Sequence, residues 1–209
     1  MIRVLIADDH PVVRKGLCLI LSDAEGIVVA GEADNAQQVV EALARQPVDV
    51  LVLDIGMPGR SGLELLQDLR ISHPGLPVLI LSQYPEEQIA VRAIRLGAAG
   101  YLNKESAPDQ LVDAVRRIQQ GRKFLTPSLA ELLALSIEGG GRKPHEALSE
   151  REFQVLLMIA SGKTVSDIAA DLALSVKTVS TYRARILEKM SLKNNAELTR
   201  YAILNGLVN

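Results

Sequence analysis

The 209-residue chain has no tryptophan, only two phenylalanines and four tyrosines, and a single cysteine. Cys18 therefore has no partner for an intramolecular disulfide, and one cysteine with three histidines argues against a Cys/His zinc site. No apolar run reaches the roughly 18 residues of a membrane span, and the opening MIRVLIADD has neither the basic start nor the long apolar stretch of an export signal. No contact with a membrane and a reducing cytoplasm are the expectation. No G-x-G-x-x-G turn is present either, which removes the usual dinucleotide enzymes. What remains is ordinary for a globular protein: 48% hydrophobic residues, 23% charged and a net charge of −2. At roughly 100–200 residues per domain, that length predicts one or two domains.

Short apolar runs alternate with amphipathic ones over residues 1–124. Val4–Ala7, Ile27–Ala30, Val50–Leu53, Val78–Leu81 and Tyr101–Leu102 read as strands. Several are apolar on both faces, as in a parallel sheet covered on both sides. Helical spacing falls between them, at Val13, Leu17 and Leu21, for example, and at Leu111, Val115 and Ile118. Five such β-α repeats predict a doubly wound, five-stranded parallel sheet.

The regularity stops after Gly121. Leu129–Ile137 is apolar enough for a short helix, and Gly139-Gly140-Gly141 followed by Arg142-Lys143-Pro144 is a flexible break, so residues 125–147 read as a linker. Residues 148–209 signal only helices, near 150–161, 165–172, 176–190 and 196–205. Ser149 with Glu152 and Thr164 with Asp167 have the spacing of capping boxes, which open helices. Charge is distributed unevenly. Residues 1–124 hold 13 Lys/Arg against 16 Asp/Glu, whereas Ser175–Lys189 has Lys177, Arg183, Arg185 and Lys189 against Glu188 alone. Such a helix is either a solvated face or a nucleic-acid footprint.

In an open α/β sheet, ligands bind beyond the carboxyl ends of the strands. Asp8 and Asp9 follow the first strand, Asp54 ends the third, Ser82 ends the fourth and Lys104 follows the fifth, so these groups should converge. Three neighbouring carboxylates repel one another, and a hard divalent cation, Mg2+, relieves that repulsion with oxygen ligands. A carboxylate nucleophile beside a metal, a hydroxyl and an ammonium group suits phosphoryl transfer. Asp54 is the predicted acceptor. Asp9, Asp8 partly through water, Asp54 and the Gly56 carbonyl are the predicted metal ligands, while Ser82 and Lys104 grip the phosphoryl oxygens. Met57-Pro58-Gly59 should turn the chain away after Asp54.

Leu5-Ile6-Ala7-Asp8-Asp9-His10-Pro11, Leu53-Asp54-Ile55-Gly56-Met57-Pro58, Leu81-Ser82 and Gly97–Lys104 together resemble the receiver domain of bacterial two-component response regulators. The resemblance implies a flavodoxin-like (CheY-like) fold, phosphorylation of Asp54 by a sensor histidine kinase or a small phosphodonor, and a switch in which Ser82 moves toward the phosphate and Tyr101 follows inward. It also implies that phosphate lifetime depends on the positions held by Gly56 and Tyr84.

The stretch Thr164–Met190 reads as helix, turn and longer helix. Ile168, Ala169 and Leu172 form one apolar face, and Val176, Val179, Ile186 and Leu187 line the next. On a helical period Lys177, Ser180, Thr181, Ala184 and Arg185 lie away from the face of Val179 and Ile186. Leu148–Glu152, Ile159–Gly162, Ile168–Leu172, Ser175–Val179 and Ile186–Met190 resemble the LuxR-type helix-turn-helix domain, here with four helices. With the receiver in front, the chain resembles the NarL/FixJ class, a phosphorylation-controlled transcription factor rather than an enzyme. The resemblance places Ser180, Thr181 and Ala184 toward bases, and Lys177, Thr178, Tyr182, Arg185 and Lys189 toward phosphates or groove walls of promoter DNA. Tyr182 departs from the histidine common there. Ser, Thr and Ala carry few bidentate base contacts, so DNA shape should add to sequence preference. The stripe Leu198, Tyr201, Ala202 and Leu204 is core, or supports a homodimer on phosphorylation or DNA binding.

Two other readings compete. A haloacid dehalogenase-type phosphatase shares the aspartyl nucleophile and Mg2+, but needs Asp-x-Asp-x-Thr where this chain has Asp8-Asp9-His10-Pro11. A receiver-like adaptor would bind protein partners without phosphate. His10 as a general base has no evident partner and reads as a loop residue.

Overall fold

The computed structural model describes residues 1–57, 59–83, 86–138 and 143–208. Pro58 of the expected turn, Tyr84, and the break from Gly139 to Arg142 lie outside them. The chain divides into two compact units, Met1–Ala134 and Leu135–Asn209. Among the described residues no helix is long and apolar enough to cross a membrane.

The first unit runs β1 (Ile2–Ala7), α1 (Pro11–Ser22), β2 (Ile27–Ala33), α2 (Ala36–Arg45), β3 (Val50–Asp54), α3 (Gly62–Ser72), β4 (Val78–Ser82), α4 (Glu86–Arg95), β5 (Gly100–Asn103), α5 (Ala107–Gln119) and α6 (Pro127–Glu138), the last crossing into the second unit. All five strands are parallel, in the order β2-β1-β3-β4-β5. The doubly wound sheet is therefore present. Each strand is one to three residues longer than its apolar run, because ladder pairing continues into polar residues such as Asp54, Ser82 and Asn103.

Continuous apolarity marks the interior strands: every residue of β3 and β4 is buried, as are Val4–Ala7 of β1. Side chains alternate across the sheet. Val4, Ile6, Val50, Val52, Leu79 and Leu81 pack with Leu17 and Leu21 of α1 and with Leu111, Val115 and Ile118 of α5. Leu5, Leu51, Leu53 and Ile80 fill the opposite face. Each such leucine stabilises the fold by roughly 1.5–3 kcal/mol on burial.

The reversal of strand order opens a crevice at the carboxyl ends of β1 and β3. Ser61 caps α3 in a capping box with Glu64, a third box that the pattern of apolar residues did not announce. Gly62, the first residue of α3, donates its amide to the Ile55 carbonyl at 3.3 Å. A Cβ there would lie 2.3 Å from the Asp54 carbonyl oxygen, so only glycine lets α3 come this close behind Asp54.

In the second unit a 3-10 turn, Pro144–Ala147, precedes α7 (Glu150–Ala160), α8 (Val165–Asp171), α9 (Val176–Lys189) and α10 (Asn195–Leu204). Both expected capping boxes are formed, Ser149 with Glu152 and Thr164 with Asp167. A cap of this kind stabilises a helix by about 1 kcal/mol. Ala173 takes a positive φ of 51° in the tight turn between α8 and α9. Phe153, Leu156, Ile168, Val179, Ile186, Leu198 and Ala202 are buried. Val176 is not, being 51% exposed. It is the first residue of α9, and its exposure corrects its expected place in the apolar lining.

Candidate functional site

The expected acidic constellation assembles. Asp8 follows β1, Asp54 closes β3, and both are buried. Oxygens of Asp8, Asp9 and Asp54 and a ring nitrogen of His10 lie within 4.8 Å of one another. Lys104 reaches in from beyond β5, its Nζ 2.8 Å from Asp54 Oδ2 and 2.7 Å from Asp8 Oδ2. The amide of Gly56 donates to Asp54 Oδ1 at 3.0 Å. Gly56 thus has a defined role through its N–H, beside the metal contact expected of its carbonyl.

One ammonium does not balance three carboxylates. Burial raises the Asp54 carboxyl above its ordinary range, and the neighbouring charge of Asp8 adds to this against Lys104 and the Gly56 amide. Burial works against the Lys104 ammonium, but Asp54 and Asp8 outweigh it and hold the group charged to higher pH. Asp8 Oδ2 and Asp9 Oδ1 are buried without an aligned hydrogen bond, although Lys104 lies close to the first, and His10 Nδ1 is 2.8 Å from the second. Buried anionic oxygens converging with spare lone pairs are a donor set suited to a hard divalent cation. The pocket is compatible with Mg2+.

Ser82 ends β4 fully buried, its carbonyl accepting the Lys104 amide at 2.7 Å. This bond ties the ends of β4 and β5, and with them two of the expected site residues. Tyr101, paired with Ile80 across β4 and β5, is fully buried, so its ring is already inward in this structure. His10 has partners after all: its amide donates to Asp8 Oδ1 at 2.8 Å and its ring lies 3.3 Å from the same oxygen. Sequence order alone placed it next to Asp9 but did not show the ring turning back into the pocket. Arg14 was also missed. Its Nη1 donates to the Asp8 carbonyl at 2.7 Å, and the only local signal was its position one turn into α1.

The helix α8–turn–α9 unit presents a second candidate site. Ser175 caps α9 by accepting from the Thr178 amide at 3.0 Å. Lys177, Ser180, Thr181, Ala184 and Arg185 are exposed, and Thr178 and Tyr182 are half-buried, as an outward face of α9 requires. The Thr181 hydroxyl donates back to the Lys177 carbonyl at 2.9 Å.

The four cations of α9 separate into two kinds. Arg183 donates to Asn195 Oδ1 at 2.6 Å, and Lys189 to Glu152 Oε2 at 2.6 Å. Glu152 is nearly enclosed: burial pushes its carboxyl up, but Lys189 and Ser149 outweigh that and leave it below the ordinary range. Lys189 thus has a partner within its own unit, while 42% of its side chain stays exposed. Among the described residues no hydrogen bond or ion pair engages the side chains of Lys177 and Arg185.

Comparison with known proteins matches both halves. Residues 4–116 match the family described as the response regulator receiver domain, and residues 146–202 the bacterial regulatory proteins of the luxR family. The chain is 39% identical over 211 residues to the response regulator UvrY of Escherichia coli (strain K12), covering all of this chain and 97% of UvrY. It also resembles RcsB of Salmonella enterica serovar Typhimurium bound to promoter P1flhDC in the presence of the phosphomimetic BeF3-. The identity there is 30% and the TM-score 0.66, covering 96% of this chain and 97% of that one. A structure of two RcsB dimers bound to two parallel DNAs gives 30% identity and a TM-score of 0.60, over 100% and 99% of the two chains.

Proposed function

The chain belongs to the response regulators of the NarL/FixJ class, a receiver domain followed by a luxR-family DNA-binding domain, and on that premise we propose that phosphorylation of Asp54 controls promoter binding by α9. Residues 1–124 form the receiver in this reading, 125–147 the linker and 148–209 the DNA-binding domain. The observation that carries the proposal is the buried Asp54 carboxylate, held 2.8 Å from Lys104 among oxygens that converge within 4.8 Å.

The phosphodonor is a phosphohistidine of a sensor kinase, or an acyl phosphate. An Asp54 oxygen forms the new P–O bond as the donor's bond to phosphorus breaks: the P–N bond of phosphohistidine, whose departing imidazole takes up a proton, or the P–O bond of an acyl phosphate, which leaves as a carboxylate. Lys104 faces the phosphoryl oxygens with its ammonium, and Ser82 offers its hydroxyl from the end of β4. Asp8, Asp9 and Asp54 would hold Mg2+, joined by the Gly56 carbonyl. When bound, Mg2+ supplies neutralisation of charge on the transferring group. The arriving dianion draws Ser82 and shifts the balance of Tyr101 between inward and outward positions.

On DNA, Ser180, Thr181 and Ala184 meet bases, and Lys177, Thr178, Tyr182 and Arg185 meet phosphates or groove walls. Ile203 and Leu204, 53% and 73% exposed on α10, support a homodimer, which a two-fold operator would match. The protein acts in the cytoplasm.

Incubation with acetyl phosphate and Mg2+, followed by intact-mass measurement and DNA footprinting, tests the proposal. Asp54→Asn keeps the shape and removes one of three repelling charges, so it should fold normally and gain no phosphate. Equal phosphate on the variant and the wild type would refute the assignment.

A further inference from the structure

The connection between β1 and α1 is only Asp8, Asp9 and His10, yet it carries two of the three carboxylates that crowd the pocket. Like charges this close push the connection outward, so something must hold it. The backbone of Asp8 is gripped on both sides. Its amide donates to the Ala33 carbonyl of β2 at 3.0 Å, and its carbonyl accepts from Arg14 Nη1 at 2.7 Å. The other edge of the same guanidinium donates Nε–H to Glu32 Oε2 on β2 at 3.0 Å. The Arg14 side chain is only 17% exposed, and its own amide donates to the His10 carbonyl at 3.0 Å. A rigid planar fork can span a carbonyl and a carboxylate together; a lysine ammonium on a flexible stem does not.

We propose that Arg14, anchored on Glu32, is a positioning residue that fixes Asp8 and Asp9 against Asp54 and thereby sets the Mg2+ affinity of the pocket. This rests on the reading of the pocket as a Mg2+-dependent phosphoryl site. Arg14 meets neither the phosphoryl group nor the metal; it acts through the Asp8 backbone. Groups that orient metal ligands from outside change affinity by about 10- to 100-fold when lost.

The test uses the full-length wild type, Arg14→Lys and Arg14→Ala. Mg2+ affinity is measured by calorimetry, metal-free unfolding by thermal denaturation, and phosphate uptake from acetyl phosphate at saturating Mg2+. Arg14→Ala should bind Mg2+ about 10-fold more weakly, by the same outer-shell argument. Arg14→Lys should fall between it and the wild type, and both variants should recover phosphate uptake as Mg2+ is raised. A folded Arg14→Ala with wild-type Mg2+ affinity overturns the proposal, even if its melting temperature is lower. If Arg14→Ala does not fold, unchanged affinity in Arg14→Lys overturns it instead. A wild type that takes up neither Mg2+ nor phosphate brings down the reading of the pocket as well, which separates the two failures.

Discussion

Lys189, the last residue of α9, donates to Glu152 of α7 at 2.6 Å, and Glu152 in turn accepts from the amide of Ser149, the cap of α7. Helix α9 is thus pinned at its far end to the start of another helix. A charge that reads from sequence as a DNA contact therefore has a partner inside the domain.

Replacing Lys189 by Met should destabilise the DNA-binding domain by about 1–2 kcal/mol, the range for a partly screened hydrogen bond to a charged group. The slope of log affinity against log salt should hardly change. Denaturant unfolding and DNA titrations at several salt concentrations measure the two effects; a slope reduced as far as in Lys177→Ala would return Lys189 to the DNA.

Lys177→Ala and Arg185→Ala should each leave the fold intact and lower the magnitude of the salt slope by about one, with weaker binding to most sequences. The same titrations decide it, because a residue that touches no phosphate leaves the slope where it was.

Gly62→Ala would put a methyl group 2.3 Å from the Asp54 carbonyl oxygen, with backbone rather than a yielding side chain in the way. Relief requires α3 to retreat, at about 1–3 kcal/mol. Thermal denaturation should show the loss, and phosphate uptake should fall because the loop after Asp54 moves with α3. A variant as stable as the wild type would mean that α3 is free to shift.

The acid stability of the first unit should depend on Arg3 and Asp49, whose side chains meet at 2.6 Å. Hydrogen bonds from the Arg3 guanidinium and amide hold Asp49 at about 2, below its ordinary 3.8. The folded state therefore binds the proton more weakly than the unfolded chain. The stabilisation is full above 3.8 and is lost as pH falls from there toward 2. Arg3→Met should be less stable at neutral pH and show a flatter dependence across that window in denaturant unfolding. An identical acid limb in both proteins would show that another group governs it.

Much of this could be read residue by residue. Ser149 with Glu152 and Thr164 with Asp167 announced their helices because a capping box is complete within four residues. Val50–Leu53 and Val78–Leu81 announced buried strands because covering both faces leaves no polar alternation. Asp54 and Lys104 could be placed together since parallel topology sends every strand's carboxyl end to one edge. Val176 was misplaced because periodicity gives a direction around a helix and not whether a neighbour stands there. Arg14 and Gly62 were missed for a related reason: each works by touching backbone or charge brought from another element, whereas His10, read as a loop residue, turns its ring onto Asp8 and Asp9 of its own connection.

Sequence alone specified the kinds of elements, their order, the two-part organisation and which acids stand at the sheet's edge. All of these follow from short-range hydrogen bonding and from the segregation of apolar side chains. The folded arrangement settled which charges are committed and which are available. Lys104 and Asp54 are 50 residues apart, Lys189 and Glu152 37, and Arg14 and Glu32 18. Electrostatic partnership falls off over a few ångströms, so it belongs to distances in space that chain order does not contain.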